Sequence, residues 1–231
     1  MQNYTVLAID LAKHVFQVVK TTGYGKAVFN KKMNRTELKK LLCNEPKATV
    51  VMEACGGSHY WCRLAESFGH QVKALPARQV KPFRQGQKTD ANDAVAIATA
   101  ARQPHLKPAR VLSEEEQGLQ CIEKMRELQV AHKTALSNQL RGLLFEFGIV
   151  ISKSDAALKK ALPEILEDAE NGLPGGFRTA LAQIWALYLT IISELEKLSQ
   201  FQHQLTLQDE QGRALSALEG VGPVGALGLK L

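Results

Sequence analysis

Four carboxylates carry the strongest chemical signal in the chain. Asp10 ends the apolar run Val-Leu-Ala-Ile, and Glu53 ends Thr-Val-Val-Met. Asp90 and Asp93 stand three residues apart at the start of an alanine-rich segment, so on a helix they share one face. Acids at the ends of apolar strands are costly unless something compensates them. Gathered together they repel one another unless divalent cations neutralise them. Mg2+ suits such a set, because it takes oxygen ligands and is commonly held by a few carboxylates with waters and phosphate oxygens. Two such ions, roughly 3.5–4 Å apart, activate an attacking oxygen and stabilise a leaving one. Metal-dependent chemistry at a phosphodiester, with Mg2+ or Mn2+, is therefore what these residues predict. Singly, each acid has an ordinary reading: a turn or cap residue at a strand end, or a charge favoured by the positive end of a helix dipole.

Cations lie close to these acids in sequence. Arg78, Lys81, Arg84 and Lys88 fall at steps of three or four immediately before Asp90, and Lys13 follows Asp10. A phosphate backbone would fit there, held in place rather than read for its sequence. Pro82 and Gly86 argue that the first four residues lie partly on a loop rather than on one continuous helix. Lys124, Arg126, His132, Lys133 and Arg141 are open to two readings, nucleic-acid contacts or the outer face of a long helix. His14, His59 and His70 are isolated and read as surface or packing residues. Trp61 and Trp185 read as core or interface.

The elements that must position the acids are legible from periodicity. Residues 4–10 form a β-rich apolar run, followed by strand-like runs at His14–Lys20 and Lys26–Lys31, with Gly23 and Gly25 marking the turn. A helical pattern starts at Asn34, with Leu38, Leu41 and Leu42 on one face. Thr49–Glu53 reads as a buried strand, Ser58–Phe68 as a helix and Gln71–Leu75 as a short fifth strand. Asp90–Ala101 reads as a helix capped by Thr89. The order βββαβαβα is that of RNase H, an α/β fold with a mixed sheet and helices on both faces. Its first strand is central and the strand ending in Glu53 pairs beside it. Sugar-kinase and actin-type ATPases also open on a strand ending in Asp, but follow it with glycine and a hydroxyl residue to approach phosphate. Leu11-Ala12-Lys13 does not.

Beyond Pro108 the strand signal stops. Leu119, Ile122, Met125, Leu128, His132, Leu136, Leu140, Leu143 and Phe147 step by three or four residues along one predicted helix. Phe177, Leu181, Ile184, Tyr188, Ile191, Leu195, Leu198, Gln202 and Leu205 do so along another, as in a coiled-coil seam. Between them, Pro163, Gly172, Pro174 and Gly175-Gly176 indicate a loop containing a short helix. The expectation is a RuvC-like domain over 1–108 and an all-α antiparallel coiled-coil hairpin over 109–211, packed on itself or on another subunit. A separate tail follows over 212–231.

Ala-Ile-Asp10-Leu-Ala-Lys13, Val-Met-Glu53-Ala-Cys-Gly56-Gly57 and Lys88-Thr-Asp90-Ala-Asn-Asp93-Ala together resemble the motifs of the DEDD transposases of the insertion sequence 110 family. The Piv-type DNA invertases are similar. The resemblance runs along essentially the whole chain. It implies a RuvC-like domain with Asp10, Glu53, Asp90 and Asp93 as catalytic metal ligands, then a coiled coil and a C-terminal transposase domain. It further implies Mg2+-dependent excision and insertion of DNA, acting on element ends and target. A structured bridge RNA as guide and assembly into dimers and tetramers are implied too. In that family a serine of the C-terminal domain is the proposed nucleophile. Leu218-Glu-Gly220-Val-Gly222-Pro223-Val-Gly225-Ala226 resembles the opening of a helix-hairpin-helix at the start of that domain. The chain stops at Leu231, so the expectation is a transposase truncated before the serine-bearing part. Two other classes fit the same residues: a junction endonuclease cutting by water attack, and a non-catalytic nucleic-acid-binding scaffold holding a structural ion.

Composition agrees with a globular protein. Of 231 residues, 45% are hydrophobic and 23% charged, which argues against disorder. The 29 Lys and Arg against 23 Asp and Glu leave a net charge of +6, a mild bias toward a polyanionic partner. No stretch approaches the roughly 20 apolar residues of a membrane span. No basic-then-apolar leader precedes Val6, and the cysteines (Cys43, Cys55, Cys62, Cys121) lack paired zinc-ligand spacing. A cytoplasmic protein of the bacterial nucleoid is the corresponding expectation.

Overall fold

The computed structural model describes residues 5–230; Tyr4 and Leu231 lie outside the described residues. The chain divides into two compact units, Met1–Gln117 and Gly118–Leu231. The first opens with strands β1 (Val6–Asp10), β2 (Val15–Thr21) and β3 (Ala27–Asn34), then helix α1 (Arg35–Asn44). Strand β4 (Thr49–Ala54), helix α2 (Ser58–Ser67) and strand β5 (Gln71–Pro76) follow. A single turn of helix, α3 (Ala77–Val80), runs into a 3-10 turn (Lys81–Phe83), and α4 (Asp90–Ala100) comes after a loop.

The sheet order is β3-β2-β1-β4-β5. β1, β2 and β3 are antiparallel neighbours, whereas β1, β4 and β5 run parallel. With the element order above, this is the RNase H-like fold that the sequence predicts. Strands β1 and β4 are buried on both faces, which is why they read as nearly unbroken apolar runs. Period-two alternation sends Leu7, Ile9, Phe16, Val18, Val50 and Met52 to the face closed by α1 and α2. It sends Val6, Ala8, Val19 and Val51 to the opposite face, where Ala94, Ile97, Ala98 and Ala101 of the α4 segment pack. Alanine suits that helix, since its short side chain lets the backbone lie close to the sheet. Asn34 starts α1 with a capping box: its side chain accepts from the backbone N–H of Thr36 and Glu37, and Glu37 accepts from its backbone N–H at 2.8 Å. β3, an edge strand, carries exposed Lys31 and Lys32, charges that discourage pairing with another chain.

Residues 109–117 stay with the first unit, although the texture of the sequence changes at Pro108. Ala109 bridges to Ala74, and Arg63 donates to the Leu112 carbonyl (2.7 Å) and to Gln117 (2.8 Å). The backbone N–H of Leu112 donates to His59 Nδ1 at 3.1 Å, a packing role for that histidine. His70 is also a packing residue, bonded to Ala48 N–H and to the Leu42 carbonyl.

The second unit is helical, with α5 (Glu114–Phe145) entering it, then α6 (Asp155–Glu167), α7 (Gly175–Gln208), α8 (Glu210–Ser216) and α9 (Pro223–Lys230). α5 and α7 are antiparallel: Gln202 bonds to Glu123 at 2.6 Å, while Leu140 and Leu144 share a core with Leu181, Trp185 and Tyr188. Leu158 and Leu162 of α6 complete that core. The third helix shifts the buried face from the simple seam. Leu144 is fully buried while Leu143 is 41% exposed, and Met125 and Leu128 are 60% and 55% exposed. Gly175 and Gly176 open α7 rather than lying in the preceding loop. Residues 212–230 pack with the same unit, where Thr206 Oγ1 donates to the Pro223 carbonyl at 3.0 Å. Among the described residues no helix is long and apolar enough to cross a membrane.

Candidate functional site

Strand parity decides where the acids point. Val6 and Ala8 face α4, so Asp10, two residues on, faces it too. Val51 faces α4, and so does Glu53. In the parallel β1–β4 register Ala8 pairs with Val51 and Ile9 with Met52, and one further step sets Asp10 beside Glu53. Neighbouring strands lie about 4.8 Å apart, so the two carboxylates leave the sheet from adjacent positions. α4, which covers this face, starts at Asp90, and Asp93 lies on its first turn.

Electrostatics ties the four together. Burial of the Asp10 carboxyl, followed by the negative charges of Asp93, Asp90 and Glu53, pushes its pKa from 3.8 up to about 6. Each of the other acids therefore raises the cost of ionising Asp10. As the side chains stand, no group of three or more His, Cys, Asp or Glu among the described residues is arranged to hold a metal ion. Two of the acids turn instead to cations of the chain: Arg84 Nη1 lies 3.3 Å from Asp93 Oδ1, and Lys32 Nζ 3.4 Å from Asp90 Oδ2. The donor set itself, hard carboxylate oxygens carrying mutually opposed charge, fits a divalent cation in kind.

The start of α4 is anchored on both sides. Thr89 accepts from the backbone N–H of Asn92 at 3.3 Å, the cap its position predicts. Asn92 donates its side-chain N–H to the Gln87 carbonyl at 2.8 Å, closing the loop that precedes the helix. From the sheet, Gln17 donates to Asn30 Oδ1 at 2.5 Å, and Asn30 donates to the Ala91 carbonyl at 3.1 Å. Gln17 is the register partner of Asp10 on β2 and is almost fully buried. This relay is absent from the sequence reading. Its one signal is an amide at an inward position of Val-Phe-Gln-Val-Val, costly to bury without a partner. On the other flank Gly57 turns the chain from β4 into α2 at φ +90°, with open space around it, so conformation and not crowding calls for glycine.

The candidate cations are spread over several elements. Arg78 is exposed on α3, Lys81 on the 3-10 turn and Lys88 on the loop before α4. Arg84 ends the 3-10 turn in extended backbone, so the four do not form one helical stripe. Lys13 is exposed between β1 and β2, and its carbonyl accepts from Arg35 at 3.4 Å. Several of the long-helix cations have partners within their own unit. Lys133 pairs with Asp155 at 2.7 Å, Lys124 with Glu127 at 2.8 Å, and Arg141 binds the carbonyls of Ser152, Lys153 and Ser154.

Comparison with known proteins bears on the whole chain. The family model of transposases of the DEDD, insertion sequence 110 type matches residues 7–149. A probable family 20 transposase of Pseudomonas aeruginosa is 33% identical over 97% of this chain and 67% of its own length. The transposase for insertion sequence element IS1111A of Coxiella burnetii is 30% identical over 98% of this chain and 62% of its own length. The chain thus spans between 56% and 67% of the length of the curated relatives it matches. Among solved structures, RuvC of T. thermophilus in complex with a Holliday junction substrate aligns at 14% identity with a TM-score of 0.34, over 46% of this chain and 99% of that chain.

Proposed function

The chain belongs to the DEDD transposases of the insertion sequence 110 type, and on that premise we propose that it cuts and exchanges DNA strands at the ends of a mobile element. In this reading Asp10, Glu53, Asp90 and Asp93 hold divalent cations, two Mg2+ or Mn2+ ions. What supports it is that strand parity turns Asp10 and Glu53 to the face covered by α4, whose first turn carries Asp90 and Asp93, and that burial and the charges of the other three raise Asp10 to about 6. Bound there, the cations supply a polarised phosphodiester and a stabilised leaving oxygen. Asp10 and Glu53, on adjacent central strands, form the rigid side of the site. Asp90 and Asp93 form the side that depends on α4 and on the loop before it. Arg78, Lys81, Arg84, Lys88 and Lys13 hold the DNA backbone through its phosphates without reading bases. A structured guide RNA and assembly into dimers or tetramers through the helical unit belong to the same proposal and rest on the family membership.

Titration of Mn2+ and Mg2+ into the wild type and an Asp10→Ala, Asp93→Ala double variant, with and without a duplex carrying the element end, tests the reading. The expected result is metal binding that strengthens with DNA and disappears in the double variant, together with any strand cleavage. Equal metal binding by both proteins means that the acids are misassigned.

A further inference from the structure

Asp93 cannot give the same oxygen fully to a guanidinium and to a metal ion. Its Oδ1 is 3.3 Å from Arg84 Nη1, and both side chains are mostly covered, at 26% and 32% exposure. The Lys32–Asp90 pair differs in kind, since both its side chains are about two-thirds exposed, at 66% and 64%. Such an open pair is worth little and is easily exchanged for water. Arg84 is thus the cation whose departure matters. It stands at the junction of the 3-10 turn with the loop leading to α4, where Gly86 adopts φ +72°. Only one of its N–H groups engages Asp93. Among the described residues its remaining donors have no partner, and they can reach a second anion without new backbone geometry.

We propose that Arg84 is an internal counter-ion that holds Asp93 until a divalent cation replaces it, and that the released guanidinium then binds a phosphate of the DNA. The proposal rests on the reading of the four acids as metal ligands. Arg84 acts through Asp93 and the phosphate and is a positioning residue. Two observations support the exchange. Asp93 is held by a cation through one oxygen, and that pair is mostly covered whereas the Lys32–Asp90 pair is open. A cation entering the site takes the Asp93 oxygen and loosens Arg84. A phosphate that captures Arg84 releases Asp93 toward the metal. Metal and DNA therefore bind with positive coupling, and by linkage each raises affinity for the other by the same factor. Without DNA, Arg84 competes for Asp93 and holds metal affinity down.

The experiment is Mn2+ binding to the full chain, read as loss of the free-ion paramagnetic resonance signal, with and without a 30-base-pair duplex used as the probe. Wild type is compared with Arg84→Gln, with the charge-retaining Arg84→Lys, and with Lys31→Gln, which removes the same charge from an exposed position on β3. Without DNA, Arg84→Gln is expected to bind Mn2+ about two- to fivefold tighter, the range set by losing one partly exposed ion pair. Lys31→Gln and Arg84→Lys stay near wild type. The mutual strengthening of Mn2+ and duplex binding seen in wild type is expected to vanish in Arg84→Gln. The exchange is overturned if Arg84→Gln binds Mn2+ no tighter than wild type, or if Lys31→Gln tightens it equally, while Asp10→Ala abolishes binding. In that case the metal site survives and only the role of Arg84 falls. If wild type binds no Mn2+ even with duplex, the metal reading fails and the exchange fails with it.

Discussion

At the scale of single residues, Asp10 is the most informative position. A folded-state pKa of about 6 against 3.8 means that the folded chain holds this proton more tightly than the unfolded chain does. Its contribution therefore favours folding at pH values below 3.8 and is lost as pH rises through about 6. At neutral pH the ionised carboxylate works against the fold, as a charge among like charges should. Asp10→Asn is expected to stabilise the metal-free protein at pH 7.5 by about 1 kcal/mol, allowing for the partial exposure of the group. At pH 4 the difference should nearly disappear. Added Mg2+ should narrow the gap at pH 7.5 by stabilising wild type alone. Urea unfolding in a chelator at both pH values measures this. A variant no more stable than wild type at pH 7.5 would mean that the acids do not crowd Asp10 as described.

At the scale of elements, the proposed site depends on where α4 begins. Its first turn carries two of the four acids, and three devices place it: the Thr89 cap, the loop closed by Asn92 and Gln87, and the relay from Gln17 through Asn30 to the Ala91 carbonyl. Removing the middle of the relay with Asn30→Ala leaves the buried Gln17 amide without that partner, at a cost of about 1–3 kcal/mol. Amide hydrogen exchange should accelerate at Asn92, Asp93 and Ala94, with the amides of β1 little changed. Unchanged exchange in α4 would show that the cap and loop hold the helix by themselves. In the helical unit, the Lys133–Asp155–Tyr188 cluster joins all three core helices. Lys133 lies on α5, Asp155 opens α6, and the Tyr188 hydroxyl of α7 donates to Asp155 at 3.1 Å. The hydrogen bond from Lys133 holds the Asp155 carboxyl below its ordinary range. Its stabilising contribution is present at neutral pH and is lost as pH falls through that lowered value. Asp155→Asn should therefore lower Tm at pH 7, with the deficit shrinking toward pH 3.

At the scale of the whole molecule, the net charge of +6 matters less than where the cations stand. Arg78, Lys81 and Lys88 are exposed on consecutive segments leading to α4, whereas Lys133 and Arg141 are tied to acids and carbonyls of their own unit. Removing one cation that neutralises a phosphate should reduce the slope of log affinity against log salt by about 0.9 on duplex DNA. Lys81→Gln and Lys88→Gln are expected to do so singly and additively, and Lys159→Gln on α6 is expected not to. An unchanged slope in the first two would remove them from the DNA path.

The sequence by itself determined the order of the elements, the RNase H-like topology, the Thr89 cap and the residues of the three family motifs. These follow from local causes: alternation along strands, three-and-four spacing along helices, and the side chain before the first helical turn. Tertiary structure alone decided the rest. Asn30 meets Ala91 across sixty-one residues of chain, and no local pattern announces that bond. Arg84 was legible as a cation near the acids, but its choice of Asp93 depends on how the loop after the 3-10 turn folds back. The buried face of α5 moved to Leu144 because α6 packs beside it, a neighbour that heptad spacing does not record. Residues 109–117 joined the first unit because Arg63 and His59 on α2 bind them, whatever their composition. Periodicity reports which side of an element is apolar; which partner covers that side is a matter of long-range contact.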